Sequence, residues 1–562
     1  MSNMSNMSAD SPASTVSWGD PAFQRCLEEA CSKENRDCVA HRQYFDDFVR
    51  GLPAVVRAHA GLDVTVEHLP GLRWGQAYSL KATFESARLG SPVFIHKNGD
   101  VDQGYTPARA RVENGTYASP LYVDLRVETR EPSPSGVVFK GTTAANVFLG
   151  LIPVMVGSQI CTTRHDPAAA ALEIDKGGYF IVKGNEKVIP YFRRTDPYST
   201  VCYVGKEGET FATVRSGSAF GRIRCTRLVK AHDAPARLTF RQSGRVDGCG
   251  AGATPGAVLR ALGVADPVGQ VHAHLHPSDA MFYGAASFAP PSAGAEGAED
   301  AAAADAADAE DGDVLAGLFP GTAAELKAQA LVSMLRLARH MRETRQLTER
   351  DSLQTQMVEG VREIVQEVFA KHLRTTTRLM RQRVETKLGK LHRQRHDGLQ
   401  HRAATLRMPD AAWVAAMLTK HNTIGPGMTY FCATGNFTGG GGRGGRPSSG
   451  LVQLLQRTSE LEFQSCFNKV VTPLDAQQAP TAAREYRLDM LGYLCPVATP
   501  EGKRTGLINA KAVGASVSRD RFAAVPIVRD IARHFTTESP AHCGAGEAGV
   551  WVSGTFLSLI HI

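Results

Sequence analysis

Glu501, Lys503 and Arg504 fall within one short stretch, LDMLGYLCPVATPEGKRTGL, which runs from Leu488 to Leu507. Proline fixes φ and glycine frees it, so Pro500-Glu501-Gly502 predicts a tight, exposed turn. A carboxylate and two cations held close together on a rigid base form a polar loop able to touch phosphate. The same pattern suits an ordinary turn between two strands. Arg484 and Arg487 lie just upstream, and a short apolar run, Leu491, Tyr493 and Leu494, precedes Cys495-Pro496.

Other cations extend this set. Arg443 and Arg446 sit on a glycine-rich tether, TGGGGRGGRPSSG, and Arg457 and Lys469 follow within GLVQLLQRTSELEFQSCFNKV. The tether lacks the GKS or GKT ending of a phosphate-cradling P-loop. Residues 371–402 carry 10 Lys and Arg with few acids to offset them. A solvated helix face and a row of phosphate contacts both account for that run. It contains no Phe, Tyr or Trp, so base stacking there is not expected.

The bounds set by composition agree with this chemistry. A chain of 562 residues, 43% hydrophobic, has room for several domains with sizeable cores. Its net charge of +7 and pI of about 8.8 suit a nucleic-acid partner without requiring one. The 11 cysteines include no CxxC pair, and Cys26, Cys31 and Cys38 have no zinc-knuckle spacing. Free thiols in a reducing compartment and no zinc or other metal site are expected. The longest apolar run, Val147 to Val156, holds Gly150 and Pro153 and is too short to span a bilayer. The Met/Ser/Asn-rich residues 1–20 carry no cationic, apolar targeting signal and read as a disordered tail.

The elements that must position these residues follow from periodicity. Residues 41–58 have helix-spaced Tyr44, Phe45, Phe48 and Val49, with Pro53 interrupting. From 62 to 130 alternating runs (VTVEHL, YSLKATF, PVFIH, SPLYVDLRVETR) predict strands. Arg109 and Arg111 precede the last of them, where solvated edge-strand charge is the plainer reading. An apolar strand from Phe148 breaks at Pro153 and resumes at Val154-Met155-Val156. In GGYFIVKGNEKVIPYFRR, Gly177-Gly178 turns the chain and Tyr179 to Val182 is a strand. Lys183-Gly184-Asn185 is a hairpin turn, and the return strand ends at Arg193-Arg194. That hairpin either presents Lys183, Lys187, Arg193 and Arg194 to DNA or is purely structural.

Residues 206–245 read as further hairpins and 252–275 as largely helical. Residues 289–313 are Ala/Gly/Asp/Glu-rich and lack core-forming side chains, so a disordered acidic insertion is expected. Thr322 to Glu325 is a capping box ahead of a helix with Leu326, Ala330, Leu331, Met334, Leu337 and Met341 on one face. Leu353, Met357, Val361, Ile364, Val365, Val368 and Phe369 predict a second amphipathic helix.

Several of these stretches carry a resemblance. CPVATPEGKRTGL resembles the CP-x-x-TP-E/D-G-x-x-x-GL segment of the second-largest, β-like subunit of multisubunit RNA polymerases. IPVMVGSQIC, GGYFIVKGNEKVI, ATGNF and GLVQLLQR are similar to further motifs of that family, in the same order, and Arg111 falls on an arginine of its N-terminal domain. In the family GLVQLLQR is helical, and a basic pair ends its continuation. Here that pair reads Asn468-Lys469, so one positive charge is missing.

The resemblance implies an α+β multidomain fold of the N-terminal half of such a subunit. The expected parts are a tail (1–20), a protrusion domain (21–205 and 351–450, with the basic helices) and a lobe domain (206–350). A fork domain (451–530) and the start of an external region (531–562) would follow. It implies a subunit of DNA-directed RNA polymerase, a nucleotidyltransferase, inactive alone and forming one side of the DNA cleft. Its partners would be the largest and smaller polymerase subunits, template DNA, nascent RNA and nucleoside triphosphates, with no membrane. Magnesium would be held mainly by the largest subunit, and no catalytic residue would lie in this chain. Arg443, Arg446, Arg457, Lys469, Arg484, Arg487, Glu501, Lys503 and Arg504 would lie toward nucleic acid or the active centre.

Cys495-Pro496-Val497 and Met155-Val156 look more like the RNA polymerase I version, which implies a nuclear, nucleolar location. Glu501 stands where that version commonly has aspartate and matches polymerases II and III. The family subunit is about twice as long, so a fragment or one piece of a split subunit is expected. The alternatives are a non-catalytic nucleic-acid-binding or assembly fragment, the polymerase II or III counterpart, or an unrelated basic binding protein.

Overall fold

The computed structural model describes residues 37–59, 61–66, 78–96, 98, 100–133, 136–165, 175–195, 200–204, 209–216, 224–230, 236–242, 245–246, 255–262, 327–343, 351–396, 408–436, 450–517, 547–552 and 555–561. The expected tail, the acidic segment 289–313, the capping box at 322–325 and the glycine-rich tether with Arg443 and Arg446 lie outside the described residues.

Helix α1 (Asp37–His59) buries Tyr44, Phe45, Phe48, Leu52, Val55 and Val56. It runs straight through Pro53, contrary to the interruption expected there. Pro53 lacks the N–H that would reach the Val49 carbonyl, and burial of the flanking residues outweighs that single lost bond. Strands β1 (Leu62–Val66), β2 (Tyr78–Leu89), β3 (Val93–Ile95) and β4 (Val101–Gln103) follow, then a short helix α2 (Pro107–Val112), β5 (Ala118–Ser133) and β6 (Gly136–Pro153). Arg109 and Arg111 therefore stand on a helix, capped by Thr106 and opened by Pro107, and not on a strand edge. The sheet runs β1-β2-β5-β3-β4, with β6 paired to β5. Along β2, Tyr78, Leu80, Ala82 and Phe84 face inward while Lys81, Thr83 and Glu85 face water.

β6 ends at Pro153, and Met155 then makes a single bridge to Phe180, so the strand does not resume. Hairpin β7 (Phe180–Val182) and β8 (Asn185–Val188) closes at Lys183-Gly184. Both turn residues have positive φ, +51° and +74°, as a two-residue hairpin turn with the twist of its strands requires. Arg193 and Arg194 do not end this hairpin. They lie on β9 (Tyr191–Thr195), which belongs to another sheet.

Strands β10 (Thr200–Val204), β11 (Thr210–Ser216), β12 (Arg224–Lys230), β13 (Arg237–Gln242) and β14 (Arg245–Val246) form an antiparallel meander, as the hairpins in the sequence predict. It begins at Thr200, a few residues before the hairpins read from 206 onward. Helix α3 (Pro255–Ala261) and helix α4 (Lys327–Glu343) follow, with Ala330, Leu331 and Met334 buried on α4.

Leu353 and Met357 are not helical. Residues 353–355 form a 3-10 turn and Gln356–Glu359 form β15, which pairs with β9. The competing interaction is the Asp489 carboxylate, which accepts bonds from Leu353 N and Ser352 Oγ, both 2.7 Å. The helix starts only at Val361 and runs to His396 as α5. Phe369 of α5 meets Phe48 of α1 edge-on, 5.9 Å between centroids. Helices α6 (Ala411–Lys420) and α7 (Ile424–Thr434) cover β6, and Gly435 ends α7 at φ +72°.

GLVQLLQR is extended, not helical. Gln453–Leu454 is strand β16, paired with β8. Helix α8 (Glu460–Asn468), β17 (Lys469–Val471), β18 (Ile508–Ala510) and the hairpin of β19 (Glu547–Val552) and β20 (Thr555–His561) complete the described chain. The order β15-β9-β17-β18 joins segments far apart in sequence, with β17 parallel to β9.

Two buried groups lock this arrangement. Arg193, 3% exposed, donates to Thr472 Oγ1 (3.1 Å), the Ala483 carbonyl (3.2 Å) and Met490 Sδ (3.3 Å). Burial lowers its pKa, against the attraction of Asp351 and Asp489. His41 is fully buried, with Nδ1 2.8 Å from the Asp37 carbonyl and Nε2 3.1 Å from the Ile189 carbonyl. Tyr191 and Phe467 stand edge-on to its ring, at 4.8 and 5.3 Å. Burial pulls its pKa down to about 4, assisted by Lys511 and opposed by the two carbonyls.

Arg193→Ala leaves a cavity and two acceptors without a donor. We expect a stability loss of about 2–4 kcal/mol, read from the urea midpoint, with new protease cuts between 472 and 494. His41 binds its proton more weakly folded than unfolded, so its contribution is complete above pH 6.5 and is lost as pH falls toward 4. That loss amounts to roughly 3 kcal/mol. His41→Gln should flatten this part of the stability-pH curve.

Candidate nucleic-acid interface

The stretch singled out by its chemistry forms a braced loop between Ala476 and Ala512. Gly502–Arg504 is a 3-10 turn, entered at Gly502 with φ +80°. Thr505 Oγ1 reaches the Gly502 and Pro500 carbonyls at 2.8 and 3.0 Å, and Gly506 N donates to Thr499 Oγ1 at 2.8 Å. Gly506 has φ +74° and lies so close to the backbone of Arg484 that no Cβ fits. Cys495 N donates to the Ala510 carbonyl at 2.9 Å, which ties the loop to β18.

Arg484 is the brace. Its guanidinium donates to the carbonyls of Ala476 (2.6 Å), Lys503 (2.8 Å) and Thr505 (3.0 Å). It holds the turn from behind. Glu501, Lys503 and Arg504 project from it, all exposed, and among the described residues no hydrogen bond or ion pair engages their side chains. Leu488, Leu491, Tyr493 and Val497 are exposed on the same stretch, whereas Met490 and Leu494 are buried.

The remaining expected residues are placed differently. Arg457 donates to Glu186 through Nε (2.6 Å) and Nη2 (3.2 Å), approaches Asp175 at 3.5 Å and lies over the Tyr179 ring at 5.1 Å. Burial works against its charge, but Glu186, Tyr179 and Asp175 outweigh it and raise the pKa. Arg111 joins the same group, 2.7 Å from Glu186 and 2.6 Å from Asp175, and also donates to the Tyr179 hydroxyl. Burial raises the Asp175 carboxyl, yet bonds from Tyr179 and Gly177 N and the two arginines bring it below its ordinary value. This network clamps α2 and the segment that follows β16 onto the β7–β8 hairpin.

Lys469 is half-buried where α8 meets β17, and Arg487 is half-buried with Nε 3.9 Å from Asp489. Arg194 pairs with the buried Glu359. The structure therefore brings together Arg484, Glu501, Lys503 and Arg504, and leaves Arg457 in a separate, internally neutralised cluster. Sequence reasoning missed the burial of Arg193 and the Arg111–Asp175–Tyr179–Glu186–Arg457 network. The Arg-Arg pair gave no alternation to separate a buried from an exposed member. Three carbonyls behind and two unpaired cations in front make the turn a rigid electrostatic platform for an anion such as phosphate.

Comparisons with known proteins match the sequence to a family. Residues 40–407 match the model described as RNA polymerase beta subunit, and residues 453–517 match RNA polymerase Rpb2, domain 3. The chain is 24% identical over 524 residues to DNA-directed RNA polymerase subunit Rpo2N of Methanococcus vannielii, covering 88% of this chain and 96% of that protein. It is 24% identical over 531 residues to subunit Rpo2 of Saccharolobus solfataricus, covering 85% of this chain and 40% of that protein. To DNA-directed RNA polymerase II subunit 2 of Arabidopsis thaliana it is 27% identical over 240 residues, 36% of this chain and 20% of that protein. The first of these models alone spans more than half of the sequence, and the chain belongs to the RNA polymerase beta subunit family.

Proposed function

We propose that this chain is the N-terminal part of the second-largest subunit of a DNA-directed RNA polymerase, acting only within the assembled enzyme. The observation that carries the role of its platform is the turn of Glu501, Lys503 and Arg504. Its two cations are left unpaired while Arg109, Arg126, Arg194 and Arg457 are each matched by carboxylates. In this reading residues 451–530 are the fork, residues 206–350 the lobe, residues 21–205 and 351–450 the protrusion, and residues 531–562 the start of an external region. Lys503 and Arg504 attract nucleic-acid or nucleotide phosphate beside the active centre, Arg484 holds them in place, and Glu501 limits the net charge. Arg443 and Arg446 would contact the bubble from their tether.

The magnesium ions of phosphoryl transfer are assigned to the largest subunit. Among the described residues no group of three His, Cys, Asp or Glu could hold a metal ion. The polymerase I version, with a nuclear and nucleolar location, rests on Cys495-Pro496-Val497 and Met155-Val156. Against it, the archaeal relatives align with most of the chain, whereas the plant polymerase II subunit aligns with 36%.

Purification of the endogenous protein through a tag placed before residue 20 tests the assembly. Copurification of a largest polymerase subunit is expected, and its absence overturns the reading. Lys503→Ala with Arg504→Ala should lower DNA-dependent RNA synthesis by the purified complex about 10- to 100-fold, or roughly 1.4–2.8 kcal/mol. Stability should stay within about 0.5 kcal/mol, because both side chains are exposed. Unchanged synthesis would remove the turn from the mechanism.

A further inference from the structure

Asp489 joins two stretches of chain 136 residues apart. One oxygen of its carboxylate, Oδ2, accepts from both Ser352 Oγ and Leu353 N, each at 2.7 Å. The other, Oδ1, lies 3.9 Å from Arg487 Nε. Burial raises this carboxyl, but the bonds from Ser352 and Leu353 N and the nearby Arg487 outweigh it and hold it below its ordinary value. The group is therefore a carboxylate at neutral pH, and a charged acceptor makes the stronger hydrogen bonds. Its charge also attracts the buried guanidinium of Arg193.

On one side of this joint, Thr195 and Gln356 are cross-strand partners on β9 and β15, so residues 196–355 leave and re-enter the fold at neighbouring points. Ser352 and Leu353 stand at that root, and β10–β14, α3 and α4 lie between its two ends. On the other side, Asp489 sits in the 3-10 turn Leu488–Met490, within the loop that carries Lys503 and Arg504. The next residue, Met490, is buried and receives Arg193 on its sulfur. The Met490 carbonyl accepts from Tyr493 N (3.1 Å) and Leu494 N (3.0 Å), and Leu494 bridges to Lys511 just after β18. Asp489 and Met490 thus fasten the upstream limb of the loop, while Arg484 holds the turn itself.

We propose that Asp489 is a positioning residue for RNA synthesis, fixing Lys503 and Arg504 by fastening their loop to the root of residues 196–355. It touches no phosphate itself and acts through the backbone of the loop. Apolar burial alone holds this limb poorly, because Leu488, Leu491 and Tyr493 are exposed and only Met490 and Leu494 anchor it inside. The polar joint at Asp489 supplies the remaining constraint. Precision matters here, since a displacement of about 1 Å in a positioned group can cost about 100-fold in rate. The inference rests on the reading that Lys503 and Arg504 act on phosphate.

The test measures DNA-dependent RNA synthesis by the intact polymerase containing the chain, in two backgrounds: the parent, and Lys503→Ala with Arg504→Ala. Asp489→Ala should lower synthesis about 3- to 10-fold in the parent background. In the doubly substituted background the same change should cost less than about twofold, because the cations it positions are already gone. Asp489→Asn keeps an oxygen that can accept both bonds and should stay within about twofold of the parent. Ser352→Ala removes one of the two bonds and should fall between Asp489→Asn and Asp489→Ala.

A joint that only stabilises the fold gives an equal fold-loss in both backgrounds, and that result overturns the proposal. So does a loss in Asp489→Asn as large as that in Asp489→Ala. Should Asp489→Ala fail to assemble, Ser352→Ala is carried through the same two backgrounds and read in the same way. The two readings fail differently. Loss of synthesis in Lys503→Ala, Arg504→Ala with full synthesis by Asp489→Ala keeps the turn and removes Asp489. Full synthesis by Lys503→Ala, Arg504→Ala overturns the reading of the turn and this inference with it.

Discussion

The guanidinium of Arg193 meets a hydroxyl, a carbonyl and a thioether in a site closed to water, and among the described residues it has no ion pair. A buried charge with only neutral contacts is tolerable when the surrounding dipoles are fixed in place. Here the dipoles come from residues 472, 483 and 490, nearly 300 positions downstream, and the cation comes from β9. Satisfying Arg193 therefore forces the chain after β17 to fold back over β9. That folding back positions Arg484, and Arg484 in turn sets the backbone of the exposed turn. Rigidity at Lys503 and Arg504 is inherited, through two arginines, from one internal charge.

Charge is divided by partnership in this protein. Several arginines are used for architecture: buried Arg193 among neutral acceptors, half-buried Arg111 and exposed Arg457 in a network with Asp175 and Glu186, half-buried Arg194 on Glu359. The Arg111–Arg457 network is balanced, two guanidiniums against two carboxylates, so it adds cohesion without a net field. Lys503 and Arg504 on the turn are left without a partner among the described residues, as are exposed lysines elsewhere, such as Lys81, Lys140, Lys183 and Lys420. A net charge of only +7 thus understates the local field at the turn, where two such cations are adjacent. Steering of an anionic partner depends on such local fields more than on the total.

Much of the fold was legible in the sequence. The strands of the first sheet, the Lys183-Gly184 hairpin turn, the meander after Thr200 and the exposed Pro500-Glu501-Gly502 turn were all signalled by local chemistry. The failures have a common cause. Helix period at Leu353 and Met357 was overridden by the Asp489 carboxylate and by pairing of β15 with β9. A family pattern suggested a helix at GLVQLLQR, but pairing with β8 makes it extended. Pro53 was read as a break, yet α1 is held by the residues it buries. At the candidate site, the turn and its exposed residues followed from Pro and Gly. The separation of structural from available arginines did not, because partners lie tens to hundreds of residues away.

The mixed sheet β15-β9-β17-β18 also sets a schedule for synthesis. β9 is complete at residue 195, but its parallel partner β17 is made only at residues 469–471. At ribosomal rates of about 5–20 residues/s, the gap between them lasts roughly 15–55 s. Throughout that interval the Tyr191–Thr195 strand lacks one neighbour, and Arg193 lacks every acceptor it will have in the finished fold. The nascent chain therefore presents a half-paired strand bearing an unsatisfied cation, a natural point for chaperone engagement. The first sheet waits as well, because α5, α6 and α7 that pack against it are complete only at residue 434, so both parts of the fold close late in synthesis.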